Sequence, residues 1–312
     1  VDGAAELMEI LTYPFMQRAL LAALLVGITA PAIGIYLVQR RQAIMGDGIG
    51  HVAMTGVALG FLLNQSPVWT ATAVAVIGSV GMELIRSRGR TSGDVALALL
   101  LYGGMAGGVL LVNLAPNGST ASLIGSLFGS ITTVAPADVT AICLLTAFVL
   151  AITLGLRRRL FAVCQDEEYA RVLGLPVRLL NLLLAVTTAV TVTVAMRIVG
   201  LLLVSAMMVL PVAAAQRVTR GFATTLALAM AIGVAVSLTG TATTFYLDAP
   251  SGAAIVLLSI AVFLLFAAVS APLARARAGG AAAAADCPAG VPDDDPAEGQ
   301  ADAQGRTGTM AS

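Results

Sequence analysis

The 312-residue chain is 58% hydrophobic and 11% charged, its 17 basic and 17 acidic residues cancelling to zero net charge, with a mean hydropathy of +0.94. That is more apolar surface than a soluble core of this length can hide, so the composition excludes a soluble globular domain and makes the bilayer part of the solvent. Lysine is absent, which excludes a nucleotide-binding P-loop of the G-x-x-x-x-G-K-[ST] kind, whose lysine sits on the phosphates.

The chain opens on "VDGAAELMEILTYPF", which carries acids where a signal peptide has a basic n-region, so the first span is expected to stay. Apolar stretches able to cross a bilayer, or nearly so, follow at 16–38, 47–64, 67–85, 94–114, 136–155, 178–196, 199–215, 221–246 and 251–272. The stretch at 47–64 is glycine-rich and the pair at 178–215 runs together, so eight spans plus a re-entrant or broken helix fit equally. The expected fold is an all-α, polytopic integral membrane protein with eight to nine transmembrane helices.

Arginine sets the orientation, because basic residues are retained on the cytoplasmic side. With the N-terminus outside, Arg40 and Arg41, Arg86, Arg88 and Arg90, Arg157 to Arg159, Arg171, Arg178, Arg217, Arg220, Arg275 and Arg277 all fall inside, and only Arg18 and Arg197 dissent. The connection "APNGSTASLIGSLFGSITTVAPAD" has an apolar middle suited to a membrane-dipping helix on the outer side. The transmembrane domain is read as 1–272; the Ala-, Gly-, Pro- and Asp-rich residues 273–312 are expected to be a disordered cytoplasmic tail. Cys143, Cys164 and Cys287 show no pairing or metal-site spacing.

Chemistry concentrates in "RRQAIMGDGIGHVAMTG" at 40–56, which holds the single histidine. Ionisable groups inside a span are costly and are functional candidates by default. If Gly46 opens a helix, Asp47 and His51 stand four residues apart on one face, with His51 roughly 8 to 15 Å from the cytoplasmic boundary. Carboxylate oxygen plus imidazole nitrogen suits borderline divalent ions such as Zn²⁺ or Mn²⁺. Two ligands hold an ion weakly, and a second copy of the chain would complete four-coordination. Against this stands a structural reading in which Asp47 caps the helix, glycines 46, 48 and 50 serve packing, and His51 bonds a carbonyl. A proton relay would use the same pair.

Elsewhere, Asp248 with Pro250 and Ser251 reads as the cap of the last span, Glu83 as the partner of Arg86, and Pro31 and Pro211 as kinks within spans. The segment "DEEYARVLG" has acids in its first turn, Arg171 in its last and Gly174 as a stop, the marks of a short helix matched to its dipole. A helix lying on lipid headgroups is the alternative for it.

"RRQAIMGDGIGHVAMTGVALG" resembles the early signature of the permease subunits of zinc, manganese and iron ABC importers. "DEEYARVLGLPVRLLN" at 166–181, "RIVGLLLVSAMMVLPVAAAQ" at 197–216 and "YLDAPSGAAIVLL" at 246–258 resemble that family's cytoplasmic segment, late apolar motif and last-span opening, in the same order. Glycine stands at 48 and 50 where the family often has Ala, Ser or Thr, and Thr55 where some members carry proline. The resemblance, spanning residues 14–272, implies a homodimeric permease in the bacterial cytoplasmic membrane that serves two cytoplasmic ATPase subunits and an extracytoplasmic metal-binding lipoprotein. It implies Asp47 and His51 as ligands for the transported Zn²⁺, Mn²⁺ or Fe²⁺, and Glu167, Glu168, Tyr169, Ala170, Arg171 and Gly174 as the segment coupling to the ATPases. The chain is then not an enzyme and has no cofactor of its own. An ABC permease for a siderophore or cobalamin, or a proton-coupled secondary transporter, is the alternative.

Overall fold

The computed structural model describes residues 13–87, 93–115, 125, 127–129, 136–247 and 251–285. Among the described residues eleven helices run in order: α1 (Pro14–Gln39), α2 (Met45–Leu62), α3 (Pro67–Ser87), α4 (Gly93–Leu114), α5 (Pro136–Gly155), α6 (Arg157–Gln165), α7 (Glu167–Val172), α8 (Val177–Val199), α9 (Leu201–Val218), α10 (Phe222–Leu247) and α11 (Ser251–Ala285). Proline opens α1, α3 and α5, where its missing N–H costs nothing and its fixed φ suits the first turn. Eight of these helices are long and apolar enough to cross a membrane, and the chain is an all-helical, multi-pass membrane protein.

The span-bearing part up to Ser270 forms one compact unit. At its centre is α1, packed on α5, α8, α9 and α10, with Ile33, Ile35, Tyr36 and Leu37 almost wholly enclosed. Lipid tails are as apolar as leucine, so helices here associate through close packing and polar contacts. A Cβ on Gly34 would collide with the backbone at Met208, and one on Gly27 would lie 2.8 Å from the Gly233 carbonyl oxygen, so α1 meets α9 and α10 nearly backbone to backbone. The polar contacts are few and internal: Thr29 and Thr146 hydroxyls lie 3.0 Å apart, and Tyr36 donates its hydroxyl to the Thr153 carbonyl at 2.7 Å. Pro31 and Pro211 lie inside α1 and α9, as the sequence indicates.

At 18 residues α2 is an unbroken helix of about 27 Å, although it is not among the eight most apolar. The ends of α1 and α3 both carry arginines that reach the same carboxylate, Glu167. Since α2 connects them and α3 returns to that carboxylate, α2 runs away from that end of the bundle and α3 comes back to it. Its glycines face its neighbours: Gly56 abuts the backbone at Thr70 and Ala71 of α3, and Gly50 leaves room for the Leu201 side chain of α9.

At the opposite end, the apolar run at 178–215 is divided by Gly200, with φ 86° and ψ 153°, so α8 and α9 reverse direction over one residue. A Cβ there would strike the backbone at Phe128 and Gly129, and the dihedral pair lies in a region essentially reserved for glycine. Gly200→Ala is expected to lower the thermal unfolding temperature of the detergent-purified protein by several degrees. Gly174, at φ 76° but with open space around it, serves as the comparison: Gly174→Ala carries the backbone term alone, about 1 kcal/mol.

One sequence expectation needs amendment. Asp47 is not the N-cap of its helix: Ile44 holds that place without a side-chain cap bond, and Asp47 falls in the first turn, where its charge complements the helix dipole. Helix α11 runs to Ala285, where alanines are strong helix formers. Asp248, Cys287, most of the 115–138 connection and the remainder of the tail lie outside the described residues.

Candidate functional site

Helix α2 begins at Met45, one turn after the reversal that follows α1, and its 3.6-residue period places Asp47 and His51 on the same face. His51 lies six residues past the helix start, roughly 9 Å along the axis. Its Nε2 stands 3.9 Å from Asp47 Oδ2, with the His51 side chain 15% and the Asp47 side chain 40% exposed. That separation is too long for a hydrogen bond and exceeds the ~3.4 Å that two bonds of about 2.1 Å span at a tetrahedral angle, so a small side-chain movement would bring both atoms onto one ion. The other ring nitrogen, Nδ1, is buried without a hydrogen-bond partner among the described residues. No group of three His, Cys, Asp or Glu residues that could hold a metal occurs among the described residues, so Asp47 and His51 stand there as a pair.

The wall beside His51 is built by α4. A Cβ on Gly104 would lie 2.7 Å from the His51 carbonyl carbon and 2.5 Å from the Val52 nitrogen. Thr55, one turn beyond His51, donates its hydroxyl to the Gly104 carbonyl at 2.6 Å, and its methyl and hydroxyl fill the space beside Gly107. The residue standing where a proline was a possibility therefore ties α2 to α4. Along this seam an apolar groove of about 330 Å³ opens between α2, α3 and α4, lined by Val52, Thr55, Met82, Leu100 and Gly104 among others.

At the arginine-rich end, "DEEYARVLG" forms a capped unit. Asp166 accepts from the Glu168 and Tyr169 N–H groups at 2.9 and 3.0 Å. At the other end Leu175 N–H reaches Ala170 O and Gly174 N–H reaches Arg171 O, a paired closure that Gly174 permits through its positive φ. Ala170 is buried against the bundle, whereas Tyr169, Val172 and Leu173 are 61%, 85% and 57% exposed; Glu168 and Arg171 are exposed as well. Glu167 points the other way. Its Oε1 accepts from Arg40 Nη2 at 2.6 Å, Arg86 Nη2 at 2.8 Å and Asn181 Nδ2 at 3.1 Å. Arg86 in turn grips Glu83 through Nε and Nη2 at 3.0 and 2.8 Å, as their spacing on one helix face indicates. Burial works against the Glu167 charge, but the Arg86 hydrogen bond and the Arg86 and Arg40 charges, with the Asn181 amide, outweigh it and hold the carboxyl below its usual range. A carboxyl lowered on folding stabilises above its unfolded value of about 4.3, and that contribution is lost as pH falls through the lower, folded one.

Comparison with known proteins places this arrangement. The profile described as the ABC 3 transport family matches residues 12–270, which covers every helix discussed except the end of α11. The chain belongs to the ABC 3 transport family. Among its relatives, a probable metal transport system membrane protein of Treponema pallidum is 30% identical over 268 residues, 86% of this chain and 99% of that protein. A probable iron transport system membrane protein of Haemophilus influenzae is 31% identical over 85% of this chain and 97% of its own length. The manganese transport system membrane protein MntC of Halalkalibacterium halodurans is also 31% identical, over 82% and 88%. Of solved structures, PsaBC from Streptococcus pneumoniae in complex with Fab superposes with a TM-score of 0.75 at 27% identity, covering 84% of this chain and 94% of that one.

Within this ABC 3 member, sequence reasoning names Asp47, His51 and the α7 segment but misses four participants. Arg40, Asn181, Thr55 and Gly104 make their contacts across 14 to 127 positions of sequence, and no local pattern marks them.

Proposed function

We propose that this chain is the membrane permease of an ATP-driven importer for a divalent transition-metal ion, zinc, manganese or iron. The carrying observation is the Asp47–His51 pair on one face of α2, with 3.9 Å between the two candidate ligand atoms. The names of the relatives, which are membrane proteins of manganese, iron and metal transport systems, favour the same cargo. The permease works as a homodimer: a second copy supplies the other Asp and His, and the ion is bound transiently, because a site that holds too tightly cannot release. It sits in a bacterial cytoplasmic membrane with its N-terminus outside and the arginine-rich end inside.

On the inner face two separate ATPase subunits supply the energy, since this chain has no lysine for a P-loop and is not itself an enzyme or bound to a cofactor. The exposed surface of α7, Glu168, Tyr169, Arg171 and Val172 with Leu173 beside them, is the part that enters the ATPase groove, with Gly174 closing the helix behind it. On the outer face a metal-binding lipoprotein delivers the ion. The test is reconstitution of the permease with its ATPase subunits into proteoliposomes. Uptake of radiolabelled manganese or zinc is expected to require ATP and to survive a protonophore. Uptake that stops with the proton gradient while ATP is maintained, or that favours metal chelates over free ions, would overturn the proposal.

A further inference from the structure

We propose that Glu167 is a positioning residue that transmits movement of α7 to the metal-bearing helix α2, and that it does not contact the ATPase. This rests on the permease reading above. One carboxylate oxygen collects donors from three helices: Arg40 at the end of α1, Arg86 near the end of α3 and Asn181 in the first turns of α8. The Arg40 side chain is only 5% exposed, Arg86 20% and Glu83 6%, and Glu167 itself is 31% exposed, so the attraction is partly shielded from screening by salt. Two arginines against two glutamates leave the cluster neutral, and removing one carboxylate leaves a buried charge uncompensated.

The turn after Arg40 makes the cluster a lever and not merely an anchor. Arg40 is the C-cap of α1, and only residues 41–44 separate it from α2. That turn is stiff. The N–H groups of Arg40, Arg41, Gln42 and Met45 are bonded to Tyr36 O, Val38 O, Leu37 O and Gln42 O at 2.8 to 3.1 Å, Arg41 is held at φ 58°, and Gln42 is buried. Asp47 lies two residues beyond Met45, so displacement of Arg40 moves the start of the Asp47–His51 turn. The second arm acts from the side: Arg86 ends α3, whose backbone at Ala71 and glycine at Gly78 pack on Gly56 and Val52 of α2. A further bond, Gln39 Nε2 to Gln165 Oε1 at 3.0 Å, fastens the residue before Arg40 to the residue before the α7 cap. Pushing α7 thus shifts both ends of the α1–α3 hairpin around α2, while Tyr169, Val172 and Leu173 remain free for the partner that pushes.

The experiment uses the full permease–ATPase complex. Glu167→Gln keeps the side chain's size and removes its charge. It is expected to co-purify with the ATPase subunits in normal amount and to hydrolyse ATP within about twofold of the parent, while metal moved per ATP falls about tenfold. The double variant Arg40→Gln/Glu167→Gln restores neutrality through the remaining Glu83–Arg86 pair, guarding against simple misfolding, and is expected to be equally uncoupled. A cargo-independent readout is maleimide labelling of Ile44→Cys in a background with the native cysteines replaced. Ile44 is 58% exposed at the mouth of α2, and its labelling rate is expected to change severalfold between nucleotide-free and ATP-trapped complex, with the change lost in Glu167→Gln. Normal metal per ATP in Glu167→Gln, recovery in the double variant, or nucleotide-dependent labelling that is absent in the parent or undiminished in Glu167→Gln would each overturn the proposal. Failure of the permease reading shows elsewhere, as an unmodified complex that has no ATPase partner or moves no divalent metal.

Discussion

On the proposed permease function, Asp47→Asn and His51→Ala are each expected to reduce metal uptake by about 100-fold or more, with the folded complex recovered in normal amounts. The size follows from coordination. Loss of an outer-shell partner of a metal ligand already costs about 10- to 100-fold; His51→Ala deletes a candidate ligand atom, and Asp47→Asn exchanges an anionic oxygen donor for a neutral amide. If a second copy completes the site, each substitution alters two of four ligands at once. Recovery of the protein follows from their surroundings. Asp47 is 40% exposed and makes no cap bond, and His51 leaves Nδ1 unpartnered, so neither side chain is holding the fold together. Asp47→Asn is the sharper of the two, because it preserves shape and hydrogen-bonding capacity while discarding charge. Uptake of radiolabelled manganese and zinc into proteoliposomes, normalised to assembled complex, measures the effect. Uptake by both variants at the parental rate would remove the pair from the pathway, whatever became of the family assignment.

The parts of this site that are legible in the sequence are those whose geometry is local. Four-residue spacing puts Asp47 and His51 on one face of any helix, three-residue spacing pairs Glu83 with Arg86, and the run of acids, Arg171 and Gly174 fixes the ends of α7 before any tertiary contact is known. The eight apolar spans are legible for a related reason, since bilayer thickness sets their length. Helix register beyond a few residues is not encoded locally. Glu167 reads as one more acid in a dipole-matched first turn, and nothing nearby says that it faces Arg40, 127 positions away, while Glu168 faces outward. Gly46 and Asp47 form a plausible cap in the sequence, yet the capping role read for Asp47 fails. The tight reversal at Arg41 winds the helix from Met45, placing the aspartate inside it. Glycine is the hardest case: 32 are present, and sequence alone does not separate one that receives another backbone from one that faces open space.

Gly103 and Gly104 give that distinction a measurable form, because adjacent positions on α4 are expected to respond with opposite signs. A Cβ on Gly104 would meet the His51 carbonyl carbon at 2.7 Å and the Val52 nitrogen and Cα at 2.5 and 3.0 Å. All three are backbone atoms, which no rotamer change can move. Ordinary carbon contacts lie near 3.5 to 4.0 Å, so Gly104→Ala has to push α4 away from α2 by about 1 Å. The Thr55 hydroxyl, 2.6 Å from the Gly104 carbonyl, then loses its acceptor, and overpacking of this kind costs about 1–3 kcal/mol. The displacement falls on the residue that carries the imidazole, and a site loosened by about 1 Å loses function before the fold is lost. Gly103 has nothing within 4 Å within the protomer, so Gly103→Ala adds only helix propensity, worth up to about 1 kcal/mol. Thermal unfolding of the purified complex together with metal uptake reads both variants: Gly104→Ala is expected to lower each, and Gly103→Ala to leave uptake intact and unfolding unchanged or raised. The reverse pattern would mean that α2 and α4 do not pack backbone to backbone and that the Gly103 face is covered in the assembled dimer.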